Sequence, residues 1–268
     1  MLFLLFALID RWLVPPPRSG RCDWLTQGVY AHRGLHDAAL GRIENSAAAF
    51  DAAIAMGLGI ECDVQRTRDG AAVVFHDATL DRLTGETGRV ADATAAQLET
   101  VTLAGSIDTI QTLPRMLARV GARAPVLIEV KVPKGFRVAP LCLAVRRAIE
   151  GHAGPLAVMS FDPRVGAWFN RYAPHVVRGL VMTEAGRRTL GARLRRHAAL
   201  WRARPDFLAY DCDDCAGRFA QGQRRRGLPV LAWTIDSAAR AARAAQYADA
   251  PIAEGEGVAA AIAARAAR

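Results

Sequence analysis

Residues 60–76 read IECDVQRTRDGAAVVFH, two strand candidates, 60–66 and 72–76, separated by a short polar link. No helix fits between them, and Asp69-Gly70 is a strong hairpin turn signal. A two-residue turn there sets Asp63 opposite His76. Glu61 and Asp63 share one strand face, because side chains alternate along a strand. The hairpin thus gathers two carboxylates and an imidazole.

Outward from this hairpin, short Val/Ile/Leu-rich runs alternate with Ala-rich helical stretches. Strands are predicted over 29–32, 60–66, 72–76, 126–131, 156–161, 176–182, 207–212, 230–235 and 250–253. Helical patterns cover 46–56, 94–101, 113–120, 138–152, 164–172, 185–202, 218–226, 237–247 and 257–267. Strand–helix alternation means parallel pairing. Setting aside the return strand 72–76 leaves eight parallel strands, an α/β fold of the (β/α)8 TIM-barrel class with a β-hairpin extension of the second strand. Chemistry in that fold sits at the C-terminal ends of the strands. His32-Arg33, Glu129-x-Lys131 and Trp233-Thr234 each end a predicted strand.

The 268 residues suit one barrel domain over 25–268, preceded by an apolar segment and Pro-rich link over 1–24. An apolar fraction of 51% with 23% charged residues excludes disorder for most of the chain. The net charge of +9 invites a nucleic-acid reading. Against it, the basic residues are 33 Arg and 2 Lys, scattered apart from local clusters at Arg187-Arg188, Arg193-Arg195-Arg196 and Arg224-Arg225-Arg226. Such clusters read as solvated helix faces, so a nucleic-acid partner is not expected.

The N-terminus, MLFLLFALIDRWLVPPPRSG, is too short in its apolar run to span a bilayer and lacks a basic leader. It reads as a helix docked on the barrel, with peripheral membrane contact through residues 1–14 as the alternative. Five cysteines in a large chain suggest a reduced, cytoplasmic setting, with membrane association left open. Cys212-x-x-Cys215 could be half a zinc site or a redox pair, and reads more simply as two shielded thiols. Oligomeric state is not legible.

Glu61, Asp63 and Glu129 are acids inside otherwise apolar strands, and a carboxylate buried without a partner is costly. Three hard oxygen donors suit one divalent cation, Mg2+ or Ca2+. His32 and His76 flank the acids and suit general acid and base roles on opposite sides of a phosphorus. Asp77 could orient His76 or simply start a turn. Arg33 and Lys131 are candidates for the phosphate anion. Glu44 could hold Arg33, contact a substrate hydroxyl or support the metal from outside its ligands. Asn45 or Ser46 would cap the following helix. Trp233 is an apolar wall, a stacking partner for the substrate alcohol, or core.

In order, Ala31-His32-Arg33-Gly34, Glu44-Asn45-Ser46, Glu61-Cys62-Asp63-Val64, Val74-Phe75-His76-Asp77 with Leu80-Asp81-Arg82-Leu83-Thr84-Gly85, Ile128-Glu129-Val130-Lys131 and Trp233-Thr234 resemble the glycerophosphodiester phosphodiesterase family. The resemblance implies a barrel that hydrolyses glycerophosphodiesters to glycerol 3-phosphate and an alcohol. It implies a divalent metal on Glu61, Asp63 and Glu129, His32 and His76 as the acid/base pair, and phosphate contacts from Arg33 and Lys131. The chain departs from the family at its end, where residues 248–255 lack the usual Gly-Val-Asp-Gly and Thr-Asp-x-Pro elements, and in a short segment after Lys131. Alternatives are a lysophospholipase D-type hydrolase acting on lipid, and an inactive barrel serving as a binding module.

Overall fold

The structure, a computed structural model, describes residues 2–133, 135–186 and 189–267, with side chains described from Phe6 onward. The Arg187-Arg188 pair therefore lies outside the described residues. Two compact units are formed, one from residues 30–156 and the other from 1–29 with 157–268. Helix α1 (Leu2–Leu13) belongs to the latter.

The unit of residues 30–156 contains β1 (Tyr30–Ala31), α2 (Ala47–Ala55), β2 (Gly59–Arg66), β3 (Ala72–Val74), α3 (Ala95–Leu98), β4 (Gln111–Thr112), α4 (Leu113–Val120), β5 (Val126–Val130) and α5 (Ala139–Ile149). β2 pairs in parallel with β1 on one side and β5 on the other. Seven of the eight β2 residues are buried, among them the polar Glu61, Asp63 and Gln65 that alternate with Ile60, Cys62 and Val64.

β3 returns antiparallel to β2, as the hairpin reading expects, but the register differs by one. Val64 pairs with Val74 and Arg66 with Ala72, and the Phe75 amide donates to the Asp63 carbonyl. Asp63 therefore stands opposite Phe75, not His76. The cause is the turn. Thr67 and Ala71 close it through a backbone hydrogen bond and the Thr67 hydroxyl, leaving a three-residue loop. Gly70 takes the left-handed conformation such a loop requires, at φ +86°. Beyond β3 the chain makes an excursion before β4, a two-residue strand that sequence patterning misses. Its Leu80, Val90, Leu98, Leu103 and Ile110 bury against Val73 and Phe75. The excursion is thereby fastened beneath the end of β3.

The other unit continues with β6 (Leu156–Ser160), α6 (Pro163–Tyr172), β7 (Val177–Met182), α7 (Leu190–Ala203), β8 (Phe207–Asp211), α8 (Arg218–Arg225), β9 (Val230–Ile235), α9 (Ala238–Tyr247), β10 (Ala250–Ala253) and α10 (Glu256–Ala266). β6 to β10 pair in parallel, each with the next. With β1, β2 and β5 they are the eight parallel strands of a (β/α)8 barrel, the class expected from the sequence.

α1 packs on α7, and its one buried charge fixes it there. The Asp10 carboxylate is 2% exposed. It lies 2.9 Å from His197 Nδ1 and accepts from Trp201 Nε1 and Gln223 Nε2, both at 2.7 Å. The arginine clusters expected as solvated faces are partly consumed by such internal contacts. Arg224 pairs with Asp249 and Arg196 with Glu184. All five cysteines are buried free thiols.

Candidate active site

The predicted metal ligands meet through register. Glu61 and Asp63 lie two apart on β2, and Asp63 pairs directly with Glu129 on β5. Their side chains therefore share one face of the sheet. Glu61, Asp63 and Glu129 are 1%, 1% and 7% exposed, and each offers a carboxylate oxygen within 4.8 Å of the others. Oε1 of Glu61 is buried with no hydrogen-bond donor among the described residues. An orphaned carboxylate oxygen beside two more carboxylates is what a hard cation fits.

Electrostatics make the same point. Burial, then the charges of Asp63 and Glu129, push the Glu61 carboxyl well above its usual range. Burial likewise raises Glu129, to about 7, against the opposing charge of Lys131. Burial would raise Asp63 too, but Lys131, His76 and Arg33 outweigh it and hold that carboxyl below normal. Three like charges in one dry pocket repel unless a cation or a proton intervenes.

Lys131, two residues beyond Glu129 on the same face, places its Nζ 3.0 Å from Asp63 and 2.9 Å from Glu129. Burial disfavours its charge, yet the two carboxylates keep its pKa above normal. Arg33 follows β1 in a left-handed conformation, φ +56°. Its amide donates to Glu61 at 3.0 Å, its Nε is 3.3 Å from Asp63, and its Nη1 donates to Glu44 at 2.8 Å. Gly34 allows the tight passage that follows, because a Cβ there would stand 2.9 Å from that of Ala49. A non-glycine residue held at positive φ marks a site whose surroundings over-determine it.

The histidines sit at the edge of the acids. His32 Nε2 lies 4.0 Å from Glu61 Oε2. His76 Nδ1 lies 2.6 Å from Asp77 Oδ1, so Asp77 does orient His76. Burial lowers the His76 pKa, Lys131 and Arg33 add to this, and Asp63 and Asp77 only partly offset it. A neutral ring donating Nδ1–H to Asp77 leaves Nε2 as its basic atom.

Two residues carry more than the sequence reading gave them. Arg82 binds Asp77 through Nε and Nη2, and Glu44 through Nη1 and Nη2 at 2.9 and 2.8 Å. Glu44 in turn holds Arg33, so a single chain of ion pairs runs from His76 to the acidic cluster. The Arg82 hydrogen bond is the main reason the Asp77 pKa falls to about 2. Asn45 is the second. Ser46 caps α2 through its hydroxyl, which frees Asn45 to clamp Asp63, donating to its carboxylate at 3.0 Å and accepting its amide at 3.2 Å. In the sequence, Arg82 is marked only by its place in the Leu80–Gly85 motif, and Asn45 reads as a possible cap.

All of these residues belong to the unit of residues 30–156. Trp233 is the one predicted site residue carried by the other unit, where its ring meets Phe161 edge-on at 5.4 Å.

The sequence model of the "Glycerophosphoryl diester phosphodiesterase family" matches residues 32–253. A glycerophosphodiester phosphodiesterase of Caldanaerobacter subterraneus is 28% identical over 225 residues, 78% of this chain and 85% of that protein. A Mycobacterium tuberculosis protein named "Probable glycerophosphodiester phosphodiesterase 1" is 48% identical over 71 residues, a match spanning 25% of its length. Among solved structures, a phosphodiesterase of Oleispira antarctica in complex with the product sn-glycerol-3-phosphate is similar with a TM-score of 0.72. It is 22% identical, covering 90% of this chain and 97% of that one. At that identity the likeness speaks for the fold.

Proposed function

The chain belongs to the glycerophosphoryl diester phosphodiesterase family, and from that premise we propose that it hydrolyses small glycerophosphodiesters to glycerol 3-phosphate and an alcohol, using one divalent cation. The observation that carries this reading is the buried trio Glu61, Asp63 and Glu129, whose oxygens converge within 4.8 Å. These residues would hold Mg2+ or Ca2+, which when bound would supply Lewis-acid charge for the phosphate and for the attacking hydroxyl.

The protein's own groups do the rest. Arg33 and Lys131 present cationic donors beside the acids and take the remaining phosphate charge. His76, neutral and oriented by Asp77, exchanges a proton at Nε2. His32, 4.0 Å from Glu61, is the other member of the pair. One ring accepts the proton of the attacking hydroxyl and the other supplies one to the departing alcohol. The attacker is water, or the substrate's own glycerol hydroxyl by way of a cyclic phosphate.

A substrate panel tests the reading. With Mg2+ or Ca2+ supplied, glycerophosphocholine and glycerophosphoethanolamine should release glycerol 3-phosphate. Lysophosphatidic acid formed from lysophosphatidylcholine, with no product from the other two, would instead make the chain a lysophospholipase D-type hydrolase. No product from any of the three would favour a binding module.

A further inference from the structure

The placement of α1 carries a second function. Its inner face is locked, because Asp10 is buried among three donors from α7 and α8. Removing that carboxylate from its partners would leave an unpaired charge in the interior, so the helix is held in one orientation. Its outer face is then fixed toward solvent. There, one turn apart, Leu8 is 68% exposed and Trp12 is 81% exposed, with exposed Arg11 between them. No helix among the described residues is long and apolar enough to cross a membrane.

The surroundings of α1 supply charge of one dominant sign. Phe6, Ala7 and Asp10 form one wall of a hollow of about 620 Å3, whose other walls carry six arginines against three further carboxylates. Two of these arginines touch α1 or the residue that follows it. The Arg193 guanidinium lies 5.8 Å from the centre of the Phe6 ring, and Arg226 donates to the Val14 carbonyl. Arg218 and Arg225 line the same hollow and are exposed. The carboxylates are already partnered: Glu184 by Arg196 of the same hollow, Asp213 by Arg240, and Asp214 by the Glu184 and Ala185 amides, which leaves the other arginines in excess.

We propose that α1 docks the protein on an anionic phospholipid bilayer, with Leu8 and Trp12 entering the interface and the adjoining arginines meeting lipid phosphates. A short, largely apolar helix that keeps a leucine and a tryptophan on its outer face, next to a basic rim, suits interfacial binding. Charge complementarity selects this occupant over a second copy of the chain, whose own net charge of +9 would bring like against like.

Cosedimentation with vesicles tests the proposal. Phosphatidylglycerol carries a free glycerol on its phosphate that the active site could take. Phosphatidylserine vesicles, anionic without that glycerol, are therefore run beside it and should bind as phosphatidylglycerol does, which makes the comparison read surface charge and not the active site. Wild type should bind phosphatidylglycerol vesicles at least tenfold more tightly than phosphatidylcholine vesicles, and lose this in high salt. The Leu8→Ser/Trp12→Ser variant should lose at least tenfold, and Arg218→Glu/Arg225→Glu at least several-fold. Both variants should keep the wild-type melting temperature, since the changed side chains are exposed. Equal binding to anionic and phosphatidylcholine vesicles, or undiminished binding by Leu8→Ser/Trp12→Ser, would overturn the proposal. So would a concentration-dependent dimer that the same double substitution dissociates.

Discussion

Asp63 on β2 stands directly opposite Glu129 on β5, and the ammonium of Lys131 bridges their carboxylates at 3.0 and 2.9 Å. Lys131 and Arg33 together do not balance three buried acids, and Glu61 is left with an oxygen that has no donor among the described residues. Metal addition should therefore stabilise the protein. At about a hundredfold excess over Kd the gain is about 2.7 kcal/mol, a rise of roughly 5 to 10 °C in a chain of this size. Glu61→Gln, Asp63→Asn and Glu129→Gln should each abolish most of that rise. Metal-free Glu61→Gln should melt no lower than metal-free wild type, because it removes one repelling charge. Scanning calorimetry with and without Mg2+ or Ca2+ decides this, and a melting temperature indifferent to both ions would contradict it.

The histidines should separate by leaving group. His32→Ala and His76→Ala are each expected to lower kcat on glycerophosphocholine by about 100- to 10,000-fold. A substrate with a p-nitrophenol leaving group needs no proton on departure. It should therefore restore turnover to the variant that lost the acid, and not to the one that lost the base. Near-normal turnover of glycerophosphocholine in either variant would dismiss the pair.

Arg82 touches neither His76 nor the acidic trio, yet it fixes both Asp77 and Glu44. It is a positioning residue. Arg82→Ala should cost roughly 10- to 100-fold in kcat, while calorimetric metal affinity stays near wild type. Without Arg82 the Asp77 carboxyl rises from about 2 toward the ordinary range. Arg82→Lys, which cannot reproduce the forked contacts, should recover little. Wild-type kcat in Arg82→Ala would remove this role.

Acid should loosen α1. Burial alone would raise the Asp10 pKa, but hydrogen bonds from His197 and Gln223 outweigh it and hold it below 3.8. A carboxylate depressed in the folded state adds stability that is fully present above the unfolded pKa. That stability is lost as the pH falls through the folded value. The loss is thus confined below about pH 3.8. Asp10→Asn should show the defect already at pH 7, with a cost of about 1.5 to 3 kcal/mol. Near-UV circular dichroism against pH would reveal it, and identical acid transitions in wild type and variant would refute the role.

Much of this was legible because two periodicities coincide with chemistry. Alternation along 60–66 puts Glu61 and Asp63 on one face, and strand–helix alternation specifies a barrel whose strands end in the candidate site residues. What escaped was set by tertiary detail. Three residues rather than two close the turn, so Phe75 took the place expected of His76, and the histidine reaches the site from just beyond the strand end. β4 is too short for any period to show. Arg82 was invisible as a site residue because exposed arginines are everywhere in this chain, and only folding of the 76–110 excursion sets it between Asp77 and Glu44. Asn45 was hidden by its neighbour, since either residue could have been the cap.

Activity of this chain as a phosphodiesterase should depend on metal held by the Glu61–Asp63–Glu129 cluster. The most direct test is glycerol 3-phosphate release from glycerophosphocholine by chelator-treated protein, before and after Mg2+ or Ca2+ is returned. Product should appear only with metal and fall by at least about 100-fold in Glu129→Gln. Equal release without metal, or none from any glycerophosphodiester with metal supplied, would contradict it.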